Sequence, residues 1–171
     1  MKRIFFFAAM ALSVLMTSCS LNQQSQYTPQ LQCRNLICYH ADSLYHDTLR
    51  VDKKGENGVF KMKPIHKGDT VRGVMILNAV TNTLTGFSIS YDSTQMTVGI
   101  DSVEQIASFK EALLDTSDPA HGVLRFKPMY NTAVFPFHYI PIKTGSADLK
   151  LTVESDSKFS PASISMTQPV E

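Results

Sequence analysis

The 171-residue chain has no tryptophan, although ten Phe and six Tyr remain to supply aromatic contacts. Its 16 basic and 15 acidic residues leave a net charge of +1. With no charge excess and no basic run, nucleic acid is excluded as a partner class. Beyond the first twenty residues no long apolar stretch occurs, so no second membrane segment is expected. P-loop, dinucleotide-fingerprint and HExxH patterns are missing. Three cysteines are too few for a disulfide-built scaffold.

What is present begins at the N-terminus. Lys2 and Arg3 lead into an apolar run from Ile4 to Met16, which ends in Thr17-Ser18-Cys19. A basic head, an apolar core too short for a comfortable bilayer span and a small-residue cleavage site describe a secretory signal peptide. The cysteine after the small residues resembles a bacterial lipobox. That resemblance implies cleavage before Cys19, lipid attached to it and a domain in the bacterial cell envelope; the absence of an acidic cluster after Cys19 leads to the expectation of an outer-membrane anchor facing the periplasm. Two or three acyl chains anchor stably where one binds only marginally. The division that follows is a lipoprotein signal peptide over 1–18, a flexible Gln/Ser/Asn-rich tether over 19–32, and one domain over 33–171.

From Asp47 onward the pattern is β. Thr48 to Val51, Val59 to Met62, Val71 to Ala79, Phe87 to Tyr91, Met96 to Ile100, Val123 to Phe126, Val134 to Ile140, Leu149 to Val153 and Ile164 to Met166 read as short strands between turn residues. The unbroken run Val74-Met75-Ile76-Leu77 predicts burial on both faces, and Pro136 and Pro141 predict an edge strand. One amphipathic helix interrupts. Asp101 or Ser102 caps it, Gln105 completes a capping box, and Val103, Ile106, Phe109 and Leu113 recur at helical spacing, widened by Ala107 and Leu114. The expected fold is mainly β: an immunoglobulin-like β-sandwich with one inserted amphipathic helix near 102–115.

The stretch from Ile65 through His66-Lys67-Gly68-Asp69 to Val71, then Ile76-Leu77-Asn78 and Leu84, resembles the opening of Hydin-type (ASH) immunoglobulin-like domains. Tyr139 to Gly145, followed by Leu149 to Asp156, resembles the final hairpin of the same family. The helix and the missing glycine after Asn78 depart from that pattern. The resemblance implies scaffolding or binding, with no catalytic residues to carry over.

Chemistry-bearing residues are densest at Cys33, Cys38, His40 and His46, with Asp42 and Asp47 nearby. Cys33 and Cys38 form a candidate disulfide, or stand as two buried thiols. A regular strand would hold them roughly 16 Å apart on opposite faces, so a bridge needs a turn over Arg34 to Ile37. One residue between Cys38 and His40 is too little for paired zinc-knuckle geometry. No metal and no cofactor is therefore assigned. His66, His121 and His138 sit in three separate segments, and Asp115 and Asp118 read as solvated acids near a helix end. Gly86-Phe87-Ser88-Ile89-Ser90 falls one residue short of a nucleophile elbow and lies in an alternating strand.

The expectation is a non-enzymatic, lipid-anchored envelope protein that binds or scaffolds a protein or glycan partner. Phe135, Phe137 and Tyr139 are the candidate patch, on one face of a strand where core packing competes with interface. The alternative is an envelope metal-dependent hydrolase using the Cys33–Asp47 region.

Overall fold

The computed structural model describes residues 27–54, 59–101 and 107–171. The expected signal peptide with Cys19, the expected tether up to residue 26, the residues Ser102, Val103, Gln105 and Ile106 expected to open the helix, and residues 55–58 lie outside these residues. Among these residues eleven strands follow in order: β1 (Gln30–Tyr39), β2 (His46–Thr48), β3 (Val51–Lys54), β4 (Val59–Met62), β5 (Thr70–Asn78), β6 (Leu84–Tyr91), β7 (Met96–Ile100), β8 (Val123–Arg125), β9 (Thr132–Pro141), β10 (Gly145–Ser155) and β11 (Ala162–Val170). Helix α1 (Ala107–Ala112) and a 3-10 turn (Pro119–His121) separate β7 from β8.

The strands build two sheets, ordered β2-β1-β5-β9-β7 and β3-β4-β11-β10-β6-β8. Within them, β1-β5-β9-β7 and β6-β10-β11 reproduce the four-plus-three arrangement of the constant-type immunoglobulin fold. Period-two alternation explains why these segments form strands. In β10, Ala147, Leu149, Leu151 and Val153 face inward while Asp148 and Lys150 face solvent. The inner faces meet in one core, where Phe87 and Phe135 pack edge to face with centroids 5.2 Å apart. Tyr139 donates its hydroxyl to Gln168 Oε1 at 2.9 Å. The Gln168 amide in turn donates to Lys63 O and Pro169 O, which satisfies a fully buried polar side chain.

Several expectations are corrected. Phe135, Phe137 and Tyr139 are all core, at most 1% exposed, and offer no patch. Strand β9 is interior, between β5 and β7, despite Pro136. The Pro136 carbonyl accepts from Asp101 N, just past the end of β7, so the missing proline N–H falls where no ladder partner is needed. In β5 only one face is fully buried, through Val71, Met75 and Leu77, while Val74 and Ile76 are half-buried on the outer side.

The described part of the helix ends at Ala112. Phe109 packs against Phe126 and Phe135, Leu113 is buried past the helix end, and Leu114 is exposed. At the other end, Gln30, Leu31 and Gln32 are the first residues of β1 and pair with β5, so the sheet begins inside the span assigned to the tether. Their polarity concealed an alternation in which Leu31 and Cys33 face the core.

Val80 occupies the position after Asn78-Ala79 with φ +62°, a left-handed conformation that strains a β-branched residue. Asn78 Oδ1 accepts from Val80 N at 2.7 Å and holds the turn in that geometry. Val80→Gly relieves a strain of roughly 1–2 kcal/mol against part of the entropy glycine adds to the unfolded chain. A modest net gain in stability, read as a higher Tm, is expected; a lower Tm would refute the strain at this turn.

Candidate functional site

The site is built around the turn that feeds β5. Gly68, at φ +89°, adopts a conformation that a residue with a Cβ enters only with strain, and its N–H donates to Pro141 O at 2.8 Å. That turn sends the Asp69 side chain inward until it is 2% exposed. Four groups from two segments converge on it. Ala41 N donates to Oδ1 at 3.0 Å and His66 N to Oδ2 at 2.9 Å. His40 Nδ1 lies 3.1 Å from Oδ2, and Cys38 Sγ 3.6 Å from the same oxygen. The other nitrogen of His40 faces Asp47 Oδ2 at 3.6 Å. The exposed His66 ring tilts beside it, centroids 6.4 Å apart.

A bulge in β1 makes this convergence possible. Register shifts between Arg34 and Ile37, and Asn35 takes φ +53°. The extra residue reverses the strand's parity, so Cys33, opposite Met75, and Cys38, opposite Val71, both face the core. The turn that a disulfide requires is not formed, and both thiols are free. Cys33 lines an apolar slot with Leu36, Phe60 and Met62.

Electrostatics follow from this packing. Burial opposes ionisation of Asp69, but the Ala41 and His66 backbone N–H groups, then His40 and Cys38, hold its carboxyl below the usual range. His40 is pushed above 6.5, mainly by its hydrogen bond to Asp69. Burial first, and the Asp69 charge second, pushes the Cys38 thiol up to about 12; burial alone does the same for Cys33. Cys38 is thus the reverse of an activated nucleophile, because its thiol faces a carboxylate where a thiolate needs a cation.

Of the residues grouped from sequence, the structure brings Cys38, His40 and Asp47 together. Cys33 points into the apolar slot, Asp42 is exposed, and His46 stacks on Tyr39 at 5.4 Å. Asp69 was missed as a site residue. Its only signal was its place in the Lys67-Gly68-Asp69 turn, where an aspartate ordinarily faces solvent. The remaining histidines do not converge: His121 pairs with Asp118 at 2.7 Å in the 3-10 turn, and His138 with Asp101 at 2.6 Å. Asp115 is exposed. Ser88 lies mid-strand in β6, opposite Val123 and Thr152, with no elbow.

No family model and no curated protein matches the chain. Among solved structures, the chain is similar to the secreted serine protease VesC from Vibrio cholerae, at 12% identity and TM-score 0.38, covering 71% of this chain and 22% of that one. It is also similar to an ASH/PapD-like domain of human CEP192, at 10% identity and TM-score 0.35, over 82% of this chain and 84% of that one. For S-layer protein SbsC domains 4 and 5 the values are 15% identity, TM-score 0.33, and 72% and 51% coverage. The strand order itself carries the fold assignment.

The two shifts at the junction give opposite pH flanks. Asp69, lowered in the fold, contributes stability above about pH 4 that is lost as pH falls through its folded pKa. His40, raised in the fold, contributes stability below 6.5 that is lost as pH rises through its folded pKa. With EDTA in every buffer, Tm should fall on both sides. His40→Gln should flatten the alkaline flank and weaken the acid flank only in part, because the Ala41 and His66 N–H groups lower Asp69 more than His40 does. Asp69→Asn should flatten both and cost about 2–3 kcal/mol, the scale of hydrogen bonds to a buried charge. An Asp69→Asn protein with the parent's pH profile would refute this account.

Proposed function

We propose that the protein is a lipid-anchored envelope protein whose immunoglobulin-like domain is non-catalytic and presents an edge hairpin to a protein or glycan partner. The observation that carries this is the β1–β2 hairpin. Leu44 is fully exposed and Tyr45 is 73% exposed at its tip, and Tyr39, half-exposed at its base, stacks on His46 and has the Arg72 guanidinium over its ring. Strand β2 is exposed throughout and ends its sheet, so its backbone edge is open to strand addition. Exposed tyrosines on a hairpin held at its base are suited to partner contact, since they offer large area at low entropic cost.

Strand β1 runs for ten residues, about 30 Å at the usual strand rise, from Gln30 to the base of the hairpin, so the hairpin tip and the start of the first strand lie at opposite ends of β1. No helix among the described residues is long and apolar enough to cross a membrane.

The intact mass of full-length protein from membranes of a host that processes lipoproteins tests the anchor. A chain starting at Cys19 with added acyl mass, lost in Cys19→Ala, is expected; an unlipidated product of any other start refutes the anchor. The surface is tested separately. Leu44→Asp with Tyr45→Ala should abolish crosslinking of the native protein to its envelope partner while Tm stays within a degree or so, as exposed substitutions allow. Undiminished crosslinking would remove the hairpin from the interface.

A further inference from the structure

We propose that Cys38, His40 and Asp69 form a binding site for a divalent transition-metal ion of the zinc class. The ion is held by Cys38 Sγ, His40 Nδ1 and Asp69 Oδ2. These three atoms come from β1, the residue after it and the β4–β5 turn, and all lie within 4.8 Å of one another. This reading is independent of partner binding at the hairpin.

Donor chemistry selects the ion. One sulfur, one imidazole nitrogen and one carboxylate oxygen suit zinc, cobalt or copper and disfavour calcium and magnesium, which take oxygen ligands. The spacing agrees. Tetrahedral zinc with ordinary bond lengths puts sulfur and oxygen roughly 3.5 Å apart, and nitrogen and oxygen roughly 3.3 Å apart. The corresponding distances here are 3.6 Å and 3.1 Å.

The surroundings fit the ion as well. Carboxylates face both nitrogens of His40, so a neutral ring with its one N–H leaves a nitrogen beside a carboxylate that an ion or a second proton must bridge. With the ion on Nδ1, the remaining Nε2–H donates to Asp47, the carboxylate–histidine–metal arrangement that fixes a ligand's tautomer and orientation. Asp69 is held as well, with Oδ1 fixed by Ala41 N and Oδ2 by His66 N. His66, exposed beside His40, or a water completes four-coordination. Binding displaces the thiol proton of Cys38 to solvent and leaves His40 with its single N–H on Nε2, an imidazolium releasing its Nδ1 proton and a neutral ring moving it to Nε2; no redox step is involved.

The test uses full-length protein carrying Cys19→Ala, so that Cys33 and Cys38 are the only thiols, stripped of metal and kept reduced with a non-thiol reductant. Titration with Co²⁺ should give a thiolate-to-cobalt charge-transfer band and the visible bands of a four-coordinate ion, saturating at about one ion per chain. Cys33→Ser should retain the band and Cys38→Ser should lose it. Because Cys38→Ser perturbs a buried position, His40→Gln is the second arm: at a half-exposed side chain it should weaken Co²⁺ binding about tenfold or more and abolish the rise in Tm that Zn²⁺ gives the parent. Absence of the charge-transfer band, its survival in Cys38→Ser, or an unchanged affinity in His40→Gln would each overturn the site.

Discussion

The buried carboxylate of Asp69 is the constraint on which this end of the sandwich depends. A charge removed from water survives only if its lone pairs are filled, and Asp69 fills them with groups from both sides of the β1–β5 pair. The result is a knot between the first strand of the fold and the turn entering β5, its neighbour in the same sheet. The hairpin that carries Tyr45 and Leu44 springs from that knot, so the orientation of the exposed surface is set by a buried acid.

The knot in turn needs the bulge in β1. Without the extra residue between Arg34 and Ile37, one of the two cysteines would face solvent and Leu36 could not reach Gly73. Gly73 shows how closely that side is packed: a Cβ there would meet Leu36 and Phe137 at 2.7 and 2.8 Å. Bulge, glycine and buried thiol thus form one packing solution. A single irregularity positions both the core and the polar cluster above it.

Much of the fold was legible because its signals are local. Alternation in β6, β7 and β10 needs only neighbouring residues to be read, and strict apolar/polar order named their core faces. Where local signals conflicted, tertiary context won. Pro136 reads as an edge residue, but its missing donor falls opposite a strand that has already ended. Gln30 and Gln32 read as tether because nothing local announces that Met75 and Leu77 await the residues between and beside them. Phe135, Phe137 and Tyr139 were correctly placed on one face, and only the opposing sheet shows that this face is closed.

Adjacent residues carry hydrophobic periodicity, so a mainly β chain with one helical interruption, and the faces of its strands, could be read before any fold was known. The sequence also drew attention to Cys38, His40 and Asp47 as a dense polar segment. That Cys38 and Cys33 are separate free thiols, and that Asp69 is the centre of the cluster, emerges once the strands are packed together. The reason is physical: a bulge shifts parity without a distinctive residue, and a carboxylate becomes buried only when distant backbone N–H groups fold around it.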